Sequence, residues 1–164
     1  MSQDSTIPQD DSLGVTSHAP SLQWDYPAPF ILPITVTPDH IDIMGHTNNV
    51  VYLEWLEKVA WGHSQALGLD WELYRKLNRA LVARRHEIDY LAATFVGDEL
   101  LLGTWIVGND RKLSVTRRYQ LIRPKDGVTA LRGQTHWVCI EIDSGKPKRM
   151  PPEFADGYVV TTIQ

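Results

Sequence analysis

Asp39-His40-Ile41-Asp42-Ile43-Met44-Gly45-His46-Thr47-Asn48-Asn49-Val50-Val51-Tyr52 gathers turn-forming, capping and ionisable residues in one stretch and runs directly into the only long amphipathic helix the chain offers. From about Asn49 to Leu67, the residues Tyr52, Trp55, Leu56, Val59, Ala60, His63 and Leu67 recur at spacings of three and four, which predicts one buried stripe on a 3.6-period helix. Glu54, Glu57 and Lys58 fall off that stripe, and Glu54 and Lys58 are spaced as a favourable i,i+4 pair on the wet side. Asn48 or Asn49 suits the N-cap, and Gly68 suits a left-handed C-terminal residue. The polar cluster therefore sits at the positive end of a buried helix, where first-turn amides without intrahelical partners can receive an oxyanion.

Outward from that helix, the chain reads as strands joined by turns. Phe30 to Thr37 forms a first strand, limited as a central strand by Pro33. Beyond the helix, Asp70 to Leu77 is a short helical turn, and Ala80 to Tyr90 a second strand. Gly97-Asp98 makes a turn into strand three, Glu99 to Val107, and Gly108-Asn109-Asp110 gives a hairpin signal before strand four, Lys112 to Ile122. That strand alternates Leu113, Val115, Arg117, Tyr119 and Leu121 against Ser114, Thr116, Arg118 and Gln120. Pro124-Lys125-Asp126-Gly127 turns into strand five, Val128 to Ile142. Consecutive strands with tight turns imply an antiparallel sheet. A helix of about 19 residues is roughly 28 Å long, enough to cross five strands at roughly 4.8 Å each. The expected fold class is α+β: a curved antiparallel sheet of about five strands wrapped around one long central helix. Residues 1–26, rich in Ser, Asp and Pro, read as a flexible N-terminal extension with Trp24 and Tyr26 as anchors near its end. Residues 27–164 read as one domain, closed by a segment around Met150-Pro151-Pro152-Glu153-Phe154 and Tyr158-Val159-Val160 that lies along the surface as a tail.

Composition narrows the function classes. A chain of 164 residues with 43% hydrophobic content supports one compact core. The formal charge of -4 gives no reason to expect a nucleic-acid partner. Cys139 is the sole cysteine, which excludes an internal disulfide and points to a small buried hydrophobe. No long apolar span and no basic segment followed by an apolar one is present, so a cytoplasmic chain without membrane partner is expected. Neither a His-Glu-x-x-His run nor paired cysteines suggest a metal, and no cofactor is called for.

Asp42-Ile43-Met44-Gly45-His46-Thr47-Asn48-Asn49-Val50-Val51-Tyr52, followed by Leu53-Glu54-Trp55-Leu56-Glu57, resembles the signature of hotdog-fold acyl-CoA thioesterases of the 4-hydroxybenzoyl-CoA thioesterase-like group. The resemblance spans roughly residues 30–154 and includes the Gly97-Asp98 and Gly145-Lys146-Pro147 turns. It implies hydrolysis of an acyl-CoA substrate to carboxylic acid and CoA thiol by a homodimer or a dimer of dimers. In such proteins the aspartate matching Asp42 serves as nucleophile or general base, and His46 polarises the carbonyl, holds Asp42 or orients water. Plant acyl-carrier thioesterases with this signature carry a catalytic asparagine where this chain has Met44, and the bacterial 4-hydroxybenzoyl-CoA type has tyrosine or histidine where it has Asn49.

Each residue also has a plainer reading. Asp42 can stabilise the turn, as can Asp39, and His46 can hold the loop. Asn48 and Asn49 can cap the helix or orient substrate. The backbone amides of Asn49, Val50 and Val51 are the oxyanion candidates, with helix-end satisfaction as the alternative. Glu57 is a weaker catalytic candidate, while Glu87 and Asp89 read as an ion-pair network with Arg85. His63 and His136 read as filling or edging the core. Arg84, Arg85, Arg111, Lys112, Arg117, Arg118 and Arg123 are the candidates for CoA phosphates, each also readable as ordinary surface charge. Two further functions stay open: a hotdog hydratase or dehydratase acting on an acyl thioester, and a noncatalytic acyl-CoA or lipid-binding module.

Overall fold

The computed structural model describes residues 21–163. Its strands are β1 (Phe30–Thr35), β2 (Arg79–Tyr90), β3 (Glu99–Asn109), β4 (Ser114–Arg123) and β5 (Val128–Glu141). Its helices are α1 (Asn49–Ala66), α2 (Trp71–Leu77) and α3 (Pro152–Gly157), with a 3-10 turn at Pro38–His40. All five strands form one sheet in the order β1-β3-β4-β5-β2, every neighbouring pair antiparallel. Among the described residues no helix is long and apolar enough to cross a membrane.

The turn expected at Gly97-Asp98 does not join neighbouring strands. β2 pairs with β5 at one edge, while β3 starts beside β1 at the other, Thr35 opposite Glu99. The intervening segment 91–98 must therefore cross the end of the sheet. Backbone bonds hold it at both ends: the Leu91 amide donates to the Ala130 carbonyl at 2.9 Å, and the Val36 amide to the Asp98 carbonyl at 2.9 Å. Asp98 anchors the far end by accepting from Phe95 N at 3.0 Å and pairing with Lys125 at 2.7 Å and Arg123 at 3.3 Å. Burial alone would raise its pKa, but the bonds from Lys125 and the Phe95 amide, together with the Lys125 charge and Arg123, outweigh it and hold the carboxyl below the usual range.

α1 lies across the inner face of this sheet. Tyr52, Trp55, Leu56, Val59 and Ala60 are buried against Leu100, Leu102, Tyr119, Leu121 and Leu131. The predicted stripe holds along its first three turns; at its end His63 is only half-buried and Leu67 exposed, because the helix there reaches beyond the main core. Asn48 supplies the cap, its side chain accepting from Val50 N at 3.0 Å. On the outer face, residues 24–27 dock where the sequence placed its anchors. Trp24 packs edge-on against Trp105 with ring centres 5.8 Å apart, and Trp105 Nε1 donates to the Pro27 carbonyl at 2.9 Å. Gly103 makes room for this: a Cβ there would lie 2.6 Å from the Trp24 ring. Residues 1–20 of the expected extension lie outside the described residues.

Two expectations need correction. Gly108 and Asn109 belong to β3 next to a bulge, and the β3–β4 turn falls later, where Asp110 Oδ1 accepts from the amides of Lys112, Leu113 and Ser114. One carboxylate satisfying three amides makes a tighter stop than the Gly-Asn pair. The C-terminal segment is also not a surface tail. Phe154 and Tyr158, one helical turn apart, are fully buried with Met150, Leu69, Tyr74, Ile106, Val115 and Cys139 in a second core beyond the end of α1. Cys139 fits its expected role, and burial, partly offset by Arg79, pushes its thiol up to about 11.

Candidate functional site

The approach to α1 is a compact knot. Thr37 N donates to His40 Nδ1 at 3.0 Å, Asn48 N donates to the His40 carbonyl at 2.9 Å, and Ile41 bridges to Thr47. Within the knot Asp42 N donates to the His46 carbonyl at 3.0 Å and Gly45 N to the Asp42 carbonyl at 3.1 Å. Gly45 has φ 83°, the left-handed conformation this reversal requires. Asp42 Oδ1 accepts from Met44 N at 2.8 Å, so one carboxylate oxygen stabilises the turn, while Oδ2 has no hydrogen-bond partner among the described residues. The turn thus occupies one oxygen of the carboxylate.

Downstream, the first turn of α1 distinguishes the three proposed oxyanion amides. Val50 N is occupied by the Asn48 side chain at 3.0 Å, and Val51 N by the Asn48 carbonyl at 3.0 Å. Asn49 N has no partner among the described residues. The first turn carries no acidic residue to offset the helix dipole. Asn49 and His46 line one open cavity of about 210 Å³ together with Tyr52, Tyr90 and Leu91. Tyr90 closes its rim by donating from its hydroxyl to the Asn49 carbonyl at 3.2 Å, and burial, then the neighbouring Tyr52, raises its pKa. His46 makes no side-chain hydrogen bond among the described residues, which leaves both ring nitrogens available to a ligand.

The sequence reading missed what holds this cavity's wall. Thr47 and Thr94, both buried, share a hydroxyl bond of 2.6 Å, Thr47 N donates to the Thr94 carbonyl at 2.9 Å, and the Tyr52 hydroxyl meets Thr94 Oγ1 at 2.8 Å. These bonds tie the 39–49 knot, α1 and the crossing segment 91–98 into one unit. A buried threonine in a loop gives little sequence signal; Thr47, between His46 and the cap, was the available clue.

A family model described as the thioesterase-like superfamily matches residues 36–157, most of the chain. The chain belongs to this superfamily. No curated protein sequence matches it. Among solved structures, a 1,4-dihydroxy-2-naphthoyl-CoA thioesterase from Synechocystis is similar at 20% identity, covering 80% of this chain and 96% of that one with TM-score 0.71. A DHNA-CoA thioesterase from Staphylococcus aureus gives 23% identity, 78% and 87% coverage, and TM-score 0.71. A Staphylococcus aureus hypothetical protein solved in complex with CoA gives 20%, 82% and 84%, and 0.74. The fold is thus the hotdog, a five-stranded antiparallel sheet around its helix.

Asp42 and Asn48 are not among the residues lining this cavity, and the remaining candidates of this thioesterase-like chain do not converge on it either. Asp39 is exposed on the 3-10 turn. Glu57 lies two turns further along α1, exposed, with Oε1 3.7 Å from His86 Nε2. On the outer sheet face Arg85 pairs with Glu87 at 2.7 Å, as an ordinary surface network does, and Asp89 lies two residues beyond Glu87 on β2. His136 is half-buried on that outer face rather than in the core, and His63 edges the core, stacked on Phe30. Of the phosphate candidates, Arg84, Arg85, Arg111, Lys112 and Arg118 are exposed on different strands and turns. Arg111 is engaged with Asp156 at 2.5 Å, Arg118 with Gln134 at 2.9 Å, and Arg123 with Asp98 and Asp126. Arg117 is not on the surface with them: it is 2% exposed, beneath α1. Among the described residues no group of three His, Cys, Asp or Glu side chains is arranged to hold a metal.

Proposed function

We propose that the chain hydrolyses acyl-CoA thioesters at the N-terminal end of α1. The observation that carries this reading is the unpartnered Asn49 amide at a dipole-positive helix end, lining a cavity with His46 one backbone bond from Asp42. The thioester oxygen accepts from Asn49 N–H, with Val50 and Val51 as reserve donors once Asn48 gives them up. Oδ2 of Asp42 then either removes a proton from water as its oxygen attacks the carbonyl carbon, or attacks that carbon itself to form an anhydride that water opens. In both routes the C–S bond breaks, the thiolate of CoA takes up a proton, and the acid is released. His46 and the Asn49 side chain orient the carbonyl or water. The reading draws CoA from the neighbours named as CoA thioesterases and from the CoA-bound neighbour. A second copy of the chain completes the site and supplies the phosphate contacts that one protomer does not bring together.

Asp42→Asn tests the assignment. Asn retains an Oδ1 for the Met44 amide, so the turn and the melting temperature should persist, whereas turnover on the best substrate of an acyl-CoA panel, followed by mass spectrometry, should fall at least about 100-fold. A folded variant with near-parent turnover sinks the role of Asp42. Single turnover in oxygen-18 water separates the routes, because only direct attack leaves the label in the Asp42 carboxyl. Saturable acyl-CoA binding without conversion across the panel would favour the noncatalytic reading, for which the capped Val50 and Val51 amides are the supporting observation.

A further inference from the structure

Beneath the later turns of α1 lies a second cavity, of about 150 Å³, that shares no lining residue with the one at the helix N-terminus. It opens between Glu57 and Ser64 on α1 and reaches Tyr74, Tyr158, Trp137 and Arg117. Ser64 is fifteen residues beyond Asn49, roughly 22 Å along the helix.

Arg117 is the anomaly. Its guanidinium is buried on the inner face of β4, and Nη1 donates to His63 Nδ1 at 2.8 Å and to Thr104 Oγ1 at 3.4 Å. Its Nε, the indole Nε1 of Trp137, another residue of the cavity wall, and the Tyr119 hydroxyl are all buried without a hydrogen-bond partner among the described residues. No carboxylate among the described residues forms an ion pair with it. The groups that face it are His63, Tyr74, Tyr119 and Tyr158, with Glu57 at the mouth, exposed and turned toward His86. Burial, reinforced by Arg117, lowers His63 to about 4, and burial raises all three tyrosines, so these four neighbours are neutral near pH 7. A buried cation without an ion-pair partner among the described residues therefore lines a cavity whose inner titratable neighbours are neutral.

We propose that the cavity around Arg117 is a binding site for a free short-chain monocarboxylate. A carboxylate matches the planar fork of the Arg117 guanidinium and supplies a countercharge. Leu81, Val115 and Trp61 present apolar surface to a short alkyl group. A cavity of this volume takes a molecule of about benzene's size, so butyrate, with six non-hydrogen atoms, is the probe.

The test is side-chain nitrogen–proton NMR of the full chain titrated with sodium butyrate and, in parallel, with the neutral isostere butyramide. Butyrate should move the Arg117 Nε–H and Trp137 Nε1–H signals saturably, and butyramide should not. Arg117→Lys and Arg117→Met should weaken butyrate binding at least about tenfold; should either fail to fold, the comparison of the two ligands on the parent chain still decides. Equal response to both ligands would show an apolar hole without anion preference and overturn the proposal. No response to butyrate in the parent would overturn it as well, and uptake appearing only in Glu57→Gln would identify Glu57 as the native counter-ion.

Discussion

Arg117 and His63 share one hydrogen bond on the inner face of the sheet, and that bond needs a neutral imidazole, since an arginine can only donate. Burial first, and then the neighbouring guanidinium, depress the His63 pKa from 6.5 to about 4. The unfolded chain therefore binds a proton at a pH where the native chain does not, so acid favours unfolding. This contribution to stability is fully present above about pH 6.5 and is lost as pH falls toward 4. Because the ring is half-buried and solvent screens it, the loss should be on the order of 1 kcal/mol. Urea unfolding at pH 7 and pH 4.5 should show it in the parent and not in His63→Gln, whose amide oxygen still accepts from Arg117. Equal losses in both chains would sink this account; Asp98, held below 3.8, contributes its own loss only at lower pH. At this scale the sequence was half legible. The strand-four alternation put Arg117 on the same face as Val115, Tyr119 and Leu121, all of which are buried, yet its charge alone placed it among surface phosphate contacts. Asp42 and Asn48 were readable because turn and cap chemistry is local, whereas the pairing of Thr47 with Thr94 depends on a fold-level crossing.

α1 was legible because eighteen residues repeat one period and Asn48 caps it in its own sequence context. α3 escaped because six residues starting at a proline carry too little period to see, and consecutive prolines read as irregular chain. What makes it an element is packing: Phe154 is fully buried, with its ring centre 4.7 Å from that of Tyr74, and the Tyr158 hydroxyl meets those of Tyr74 at 2.5 Å and Ser64 at 2.9 Å. α3 thereby fastens α1 to α2. Phe154→Ala should cost about 3–5 kcal/mol in equilibrium unfolding, as a large aromatic removed from a packed core does. A loss below about 1 kcal/mol would mean that the C-terminal segment lies on the fold without supporting it. A similar shift moved the β3–β4 turn. Its Gly-Asn-Asp signal was correct in kind, but the partner strand extended far enough to pair Asn109 with Val115 and left Asp110 to make the reversal.

For the whole molecule, local turns predicted an antiparallel sheet, but could not give the order of its strands, because the β2-to-β3 crossing is decided by which edges pair. Tyr90 at the end of β2 and Leu91, Phe95 and Val96 in the crossing are exposed, as are Met44 in the knot and Val50 in the first turn of α1. The bonds from Tyr90 to Asn49 and from Thr47 to Thr94 hold the two loops together, and Tyr90 and Leu91 line the candidate cavity. An apolar surface of this kind on a monomer marks a contact. A second copy placed by a two-fold axis would cover these side chains with the same set and bring a second group of basic residues toward each cavity. The chain should sediment as a dimer or a multiple of it. Phe95→Asp introduces a charge at an exposed apolar position of the crossing and leaves Asp42, His46 and the α1 amides unaltered. It should shift the protein toward monomer and lower acyl-CoA turnover at least about tenfold, the loss being recovered at high protein concentration as mass action restores the dimer. A monomeric parent, or a monomeric Phe95→Asp chain with undiminished turnover, would show that one protomer carries the whole site.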